Sequence, residues 1–242
     1  ADPSECHDLA GEQPDRLQAL VELWWIEAAS HQVLPLDNRP FSELVFGRPP
    51  PVPPRRRYVY RPDRAPVPET VAVNVKNRPH SITAFVEVDG GRPVAGALAV
   101  QGSVLGGWSL HLLADGRLCY VHNLAGWRSD RIEGSVGERL GPGAHALSFR
   151  FVPGADGVAH RGALLVDGEE IAAGTIERTT WSKFSLTGAG LTVGWARDFS
   201  PADGDYRGPF RFTGRLDRVE IDVDGDEFVD AAADAADALR AQ

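Results

Sequence analysis

Methionine is absent from this chain of 242 residues, and cysteine occurs twice, as Cys6 and Cys119. Two distant cysteines do not make a disulfide framework, so we expect free thiols in a reducing, cytoplasmic compartment. The first twelve residues lack the basic and apolar segments of a signal peptide. Without an initiator Met, the chain is expected to be a fragment of a longer protein.

Long apolar runs and an excess of positive charge are also missing. No stretch is long enough to cross a bilayer, and the formal net charge is -9. An acidic chain repels phosphate backbones and anionic lipid, so we expect neither a nucleic-acid nor a membrane partner. Hydrophobic residues at 43% and charged residues at 24% are typical of a globular chain with a sizeable core.

The N-terminal part predicts one amphipathic helix over residues 13–33. Pro14 and Asp15 suit its first turn. The helix should present an apolar face, while the second of two adjacent tryptophans points away from it. We therefore expect two different partner surfaces, with the interface residues Leu17, Leu20, Val21, Trp24 and Trp25. Residues 39–68 follow as a Pro-rich extended connector.

Residues 69–242 predict a β-sandwich that ends in a short helix at 226–241. Short alternating runs are separated by turn signals, and Asp115-Gly116 indicates a hairpin. Because no helices intervene, the predicted fold is mainly β: a two-sheet antiparallel jelly-roll (concanavalin-like) sandwich with an N-terminal helix. The predicted strands are 70–75, 81–88, 96–102, 108–113, 117–124, 144–152, 162–168, 191–195 and 211–223.

Two stretches resemble a known family. Residues 2–39 (DPSECHDLAGEQPDRLQALVELWWIEAASHQVLPLDNR) resemble the segment that ends the catalytic domain of sulfatases. Later runs, including RYVYRPDRAPVPETVAVNVKNRPHSITAFVEV, GGWSLHLLADGRLCYVHNLAG and GLTVGWARDFSPADGDY, resemble the C-terminal extension of large bacterial arylsulfatases. The turn at residues 165–168 and the pattern of residues 212–221 are also similar to concanavalin-like and laminin-G-like sandwiches.

The resemblance implies that this chain is the non-catalytic C-terminal part of an arylsulfatase, with residues 1–38 as the tail of the sulfatase domain. Its role would be to pack on the catalytic domain or to mediate oligomerisation. Neither Cys6 nor Cys119 lies in the C/S-x-P-x-R nucleophile motif, so no catalytic residue is assigned and the chain alone should be inactive. No cofactor is expected in this chain, and the family's calcium ion would belong to the missing catalytic domain.

A carbohydrate-binding module that directs the enzyme to sulfated glycans is the alternative. Trp127 and Trp181 lie near turns, where an indole can stack on a sugar ring, whereas Trp108 and Trp195 lie in strand patterns and should be core residues. Structural roles for all four stay open.

Other side chains suggest metal or acid–base chemistry less specifically. Asp198, Asp203 and Asp205 offer closely spaced oxygen ligands for calcium, or form a solvated loop. His111 and His122 flank the Asp115-Gly116 turn on paired strands and are candidates to face each other. Cys119 is expected to be a small buried hydrophobe. A sandwich glycosidase would need paired carboxylates, for which the strands offer Glu87, Glu220 and Asp222.

Overall fold

The computed structural model of the chain describes residues 6–31, 55–91, 93–155, 157–180, 184 and 189–226. Its internal contacts divide the chain into two compact units, Ala1–Pro49 and Pro50–Gln242. The first unit contains a helix and the second contains the β-sheets. In the part of the chain that is described, no helix is long and apolar enough to span a membrane.

Helix α1 (Pro14–Ser30) confirms most of the helix predicted over 13–33, of which the last two residues lie outside the described part. Pro14 begins it, where a missing backbone N–H costs nothing, and Asp15 adds negative charge near the positive end of the helix dipole. The indole rings of Trp24 and Trp25 contact each other edge to face, with centroids 4.8 Å apart.

The strands of the second unit are short and pair antiparallel throughout. They are β1 (Arg57–Tyr60), β2 (His80–Val88), β3 (Gly96–Ser103), β4 (Gly106–Leu112), β5 (Arg117–Leu124), β6 (Arg128–Ser135), β7 (Gly143–Val152), β8 (His160–Val166), β9 (Glu169–Ile176), β10 (Leu191–Val193), β11 (Trp195–Ala196), β12 (Phe210–Arg211) and β13 (Arg215–Val223). A turn of 3-10 helix (Gly137–Arg139) precedes β7.

These strands form two main sheets. In the described residues, a six-stranded sheet has the order β1-β13-β2-β7-β8-β9, a five-stranded sheet has the order β10-β3-β4-β5-β6, and β11 pairs with β12. The predicted class, a mainly β sandwich of the jelly-roll type with an N-terminal helix, is confirmed. The predicted C-terminal helix falls outside the described residues, which end at Asp226.

The main core lies between the two sheets, because alternate residues of each strand point inward. Trp108, Leu110 and Leu112 alternate along β4 and are fully buried. Tyr120 of β5 stacks on Phe149 of β7 with ring centroids 3.4 Å apart, which joins one sheet to the other.

The outer face of the five-stranded sheet is covered as well, so every residue of β4 is buried. The cover is residues 197–209, between β11 and β12, which we call the covering loop. It contributes to a second apolar cluster that comprises Ala97, Val100, Val121, Ala196, Ala202 and Tyr206. The covering loop therefore brings its own polar side chains against the sheet.

The boundary of the predicted connector is wrong at its C-terminal end. Residues 57–60 form β1, which pairs with β13 at the edge of the six-stranded sheet, Tyr58 opposite Ile221. Tyr58 and Tyr60 alternate along β1 and pack against the core, which explains why this stretch joins the sandwich. The Pro-dense residues 39–54 lie outside the described part.

The predicted strand at 70–75 is also wrong, although Val73 and Val75 do reach the core. The N–H of Ala72 donates to the carbonyl of Pro68 at 2.9 Å, which forms a turn. The next N–H, that of Val73, donates to the hydroxyl of Tyr60 at 3.0 Å. Strands β6 and β9 are also missing from the prediction; both are edge strands with several exposed side chains.

Candidate functional site

Three turns at one end of the five-stranded sheet carry exposed apolar side chains. The β3–β4 turn carries Leu105, the β5–β6 turn carries Trp127, and the covering loop carries Phe199. Their exposed fractions are 44%, 71% and 69%. We call these three residues the aromatic end. Large aromatic side chains left in water at one place on a surface are typical of a ligand or partner site.

The side chain of Asn123 ties the three turns together. Its amide donates to the carbonyls of Val104 (3.2 Å) and Pro201 (3.3 Å), and its carbonyl accepts from the N–H of Gly126 at 2.8 Å. The N–H of Val104 also donates to the carbonyl of Phe199 at 2.8 Å. The turns that carry the aromatic end are therefore held to one another by hydrogen bonds.

Backbone strain is concentrated at the same place. Phe199 has φ 57° and Ala125, in the β5–β6 turn, has φ 52°. This left-handed region is unfavourable for a side chain with a Cβ, and such residues are retained where the surrounding structure determines them. Asp and Asn tolerate it, and they account for three of the six non-glycine cases in the described residues. Two of the other three belong to the turns of the aromatic end.

Arg197 supplies a positive charge two residues before Phe199. Its guanidinium lies over the ring of Trp195, 5.4 Å from the centroid, and it forms no ion pair within the described part of the chain. It lines a small pocket together with Thr192 and Ser200. A guanidinium without a carboxylate partner is suited to an anionic group.

A second group of functional side chains lies under the covering loop, on the outer face of β4 and β5. The hydroxyl of Tyr206 lies 2.8 Å from Ser109 Oγ, which lies 3.0 Å from His111 Nδ1. On the other side of the ring, His111 Nε2 lies 2.9 Å from Asp205 Oδ2. The order Ser-His-Asp is that of a hydrolytic triad, but Ser109 and His111 are fully buried, so no substrate reaches the hydroxyl.

Cys119 completes this group, because it faces His111 across the β4–β5 pair. Arg131 of β6 donates to Asp205, to Cys119 Sγ at 3.3 Å, and to Glu133 at 2.8 Å. Burial raises the pKa of Cys119 to about 11, which the charge of Arg131 partly opposes. We call Ser109, His111, Cys119, Arg131, Asp205 and Tyr206 the His111 cluster.

The predicted tryptophan sites have different outcomes. Trp127 is exposed at the aromatic end, and its role in sugar binding stays a prediction. Trp181 lies outside the described residues. Trp108 is a core residue, as expected, whereas Trp195 is half-buried and its ring contacts the guanidinium groups of Arg197 and Arg211.

The three predicted calcium ligands do not lie together as one group in the structure. Asp205 belongs to the His111 cluster, while Asp198 and Asp203 are exposed on the covering loop. Within the described residues, the group of potential metal ligands whose atoms approach one another is His111, Cys119 and Asp205. The calcium assignment of the three aspartates stays a prediction.

The suggestion that His111 and His122 face each other is wrong. His111 lies opposite Cys119 on the outer face of the sheet, whereas His122 lies opposite Trp108. His122 is buried in the main interior. Residues directly opposite each other on paired strands share a face, and the face alternates along each strand, so His122 shares the inner face with Trp108. Cys119 is buried, as predicted.

The remaining candidates were the strand carboxylates and the helix. Glu87, Glu220 and Asp222 each pair with an arginine on their own sheet, which neutralises them. On α1, the predicted interface side chains are between 41% and 56% exposed, and their partners stay a prediction: Leu17, Leu20, Val21, Trp24 and Trp25.

Comparison with known proteins leaves the family open. No family model matches the chain, and no curated protein matches it. The carbohydrate-binding module (CBM40) of the Ruminococcus gnavus IT-sialidase, bound to α2,3-sialyllactose, is 16% identical with a TM-score of 0.41, over 62% of this chain and 80% of that one. Domains LG4-5 of the mouse laminin α1 chain are 17% identical with a TM-score of 0.41, over 71% of this chain and 42% of that one. Caenorhabditis elegans galectin LEC-6 is 13% identical with a TM-score of 0.36, over 71% of this chain and 97% of that one. Likeness of this degree says nothing about the ligand of this chain.

Proposed function

We propose that this chain is a non-catalytic carbohydrate-binding β-sandwich whose site is the aromatic end. The observation that carries the proposal is the exposure of Trp127 and Phe199 on turns that Asn123 ties together. A sugar ring presents an apolar face of C–H groups, and an exposed indole offers a flat partner for it. Turns held by hydrogen bonds lose little entropy when a ligand binds.

The glycan we propose is sulfated, because Arg197 lies close in sequence to Phe199 and has no carboxylate partner in the described chain. A guanidinium binds oxyanions through two parallel N–H groups. Stacking of an aromatic ring on a sugar does not distinguish charged from neutral glycans, so Arg197 would supply the preference for a sulfate group. Arg197 is exposed, and a guanidinium can stack on an aromatic ring and still donate hydrogen bonds to an oxyanion.

The test is a binding titration against sulfated glycans and the desulfated form of each. We expect Trp127→Ala and Phe199→Ala to weaken binding to both forms by about tenfold to a hundredfold, as for other aromatic anchors. Arg197→Gln should weaken binding only to the sulfated forms. Trp25→Ala is the matched control, since it removes an exposed tryptophan from the other unit. Wild-type affinity in both Trp127→Ala and Phe199→Ala would overturn the proposal.

A second function is favoured by α1, whose apolar side chains are exposed on several sides. In this hypothesis the chain is the accessory part of an arylsulfatase, and α1 is covered by the catalytic domain or by a second copy of the chain. Its support is the motif order of the sequence together with this exposure. We expect no hydrolysis of an aryl sulfate by the chain alone. Sedimentation should show self-association that Trp24→Ala and Trp25→Ala abolish, and a wild-type monomer at all concentrations would leave no role for a second copy.

A further inference from the structure

The His111 cluster places three different metal-ligand types at one point. Ligand atoms of His111, Cys119 and Asp205 all lie within 4.8 Å of one another. His111 and Cys119 are directly opposite on the β4–β5 pair, and Asp205 reaches them from the covering loop. Neither the aromatic end nor the proposed glycan site includes any of these atoms.

The combination of nitrogen, sulfur and oxygen ligands indicates the kind of ion. Imidazole and thiolate are ligands of zinc and chemically similar divalent transition ions, whereas calcium and magnesium take oxygen ligands. Zinc bonds of about 2.0–2.3 Å at tetrahedral angles put ligand atoms about 3.3–3.7 Å apart. The most widely separated ligand atoms would therefore have to close by about 1 Å, while His111 Nε2 and Asp205 Oδ2, now 2.9 Å apart, would have to open slightly.

The partners of His111 are those of a metal-bound histidine. A ligating imidazole normally donates its other ring N–H to an outer group that fixes its orientation. Here Nδ1 lies 3.0 Å from Ser109 Oγ, which is itself 2.8 Å from the hydroxyl of Tyr206. Both hydroxyls can donate or accept, so Ser109 can form its hydrogen bond with Nδ1 whether or not Nδ1 carries the imidazole proton. The lone pair of Nε2 is then available on the side of Asp205.

Arg131 supplies the positive charge at this point in the metal-free chain. Its guanidinium contacts both Asp205 and Cys119, and it also forms bonds of 2.8 Å and 2.7 Å with Glu133 through Nε and Nη2. A dication takes over the neutralisation of Asp205, and the guanidinium keeps Glu133 as its partner. Arg131 and the metal therefore compete for Asp205 and Cys119, and this competition can be tested.

We propose that His111, Cys119 and Asp205 bind a zinc-class divalent cation, with water as the fourth ligand, and that the ion fastens the covering loop to the sheet. On binding, the thiol of Cys119 loses its proton to solvent, and the imidazole proton moves to Nδ1, facing Ser109. The site stands on its own geometry and does not depend on the glycan proposal.

The experiment titrates the purified, metal-free full chain with Co²⁺, a spectroscopic probe of thiolate ligation, and then displaces it with Zn²⁺. We expect one equivalent to bind with a sulfur-to-cobalt charge-transfer band. Cys119→Ser should abolish the band, and Cys6→Ser, which changes the other cysteine, should keep it. Asp205→Asn should keep the band and weaken affinity by more than about tenfold, as loss of a ligand does.

Arg131→Gln distinguishes a metal site from a chance grouping of the three side chains. Removing the competing cation should tighten Co²⁺ binding, while Arg117→Gln, which removes another arginine partner of Glu133, should leave it unchanged. Circular dichroism establishes that each variant is folded. In the wild type, Zn²⁺ should raise the Tm, which tests metal binding without any substitution. Absence of a charge-transfer band from both the wild type and folded Arg131→Gln overturns the proposal. A band that Cys6→Ser removes and Cys119→Ser keeps also overturns it.

Discussion

Phe199 shows how one residue can be unfavourable for the fold and useful at the surface. Its φ of 57° lies in the left-handed region, and its ring is 69% exposed, so neither the backbone nor burial of the ring stabilises phenylalanine there. Glycine would adopt this backbone without strain. A bulky aromatic at such a position is best explained by a contact that the isolated chain does not make.

We expect Phe199→Gly to be more stable than Phe199→Ala by about 1 kcal/mol, because alanine keeps the left-handed strain that glycine relieves. Both variants should weaken glycan binding to the same extent, because both remove the aromatic ring. Urea denaturation checks the free energies of unfolding, and the binding titration checks the function. Equal stability of the two variants would show that the backbone at this position is not strained.

Only part of the site could be predicted residue by residue. The Ala125-Gly126 turn places Trp127 at a hairpin tip, so its exposure follows from local sequence. The meeting of His111 and Cys119 depends on the register of the Asp115-Gly116 hairpin. Asp205 and Phe199 reach the sheet from a loop about a hundred residues further along, and no local pattern gives that contact.

At the scale of elements, β1 and residues 70–75 exchange the roles predicted for them, since 57–60 were assigned to the connector and 70–75 to a strand. Residues 70–75 alternate in the pattern of a half-buried strand, whereas β1 reads Arg-Tyr-Val-Tyr and follows directly on a Pro-rich stretch. The strand that forms is the one with a backbone partner, β13. Residues 70–75 reach the core from a turn, and Val73 bonds to the hydroxyl of Tyr60 instead of to a strand. Alternation therefore predicted burial here but not hydrogen bonding.

We expect Tyr60→Phe to lower the free energy of unfolding by about 1–2 kcal/mol, because the N–H of buried Val73 loses its partner. Tyr58→Phe is the matched control. Its hydroxyl accepts from the N–H of exposed Arg55, which water can replace, so the change should stay within about 0.5 kcal/mol. Urea denaturation measures both, and an equal effect of the two variants would contradict the role given to Tyr60.

At the scale of the whole sandwich, one part of the interior is polar. Gln101, Trp108, His122 and Asp130 lie opposite one another across neighbouring strands β3 to β6, and all are buried. Both ring nitrogens of His122 are buried without a hydrogen-bond partner among the described residues. In the six-stranded sheet, His80 stacks on Phe151, with centroids 4.9 Å apart. A protein interior with buried neutral histidines should be sensitive to acid.

Burial lowers the pKa of His80 and of His122 to about 4. For His80, a bond to the carbonyl of Arg78 opposes this, while His122 and Arg78 add to it; for His122, Asp130 opposes it and His160 adds to it. Since the unfolded value is about 6.5, the unfolded chain binds more protons between pH 4 and 6.5, and stability falls as the pH falls through that window. We expect a loss of about 4 kcal/mol between pH 7 and pH 5 from the two histidines together.

His122→Leu separates this cause from general acid effects. It removes one of the two histidines whose pKa burial lowers to about 4 and fills the same space with an apolar side chain, so the loss between pH 7 and pH 5 should become smaller by about 2 kcal/mol. At pH 7 the variant should be as stable as the wild type or more so, because two unpartnered buried nitrogens are gone. His31→Gln, at the exposed end of α1, is the control and should keep the wild-type dependence. Urea denaturation across the pH range measures all three, and an unchanged slope in His122→Leu would mean that this histidine is already protonated, or already hydrated, in the folded sandwich.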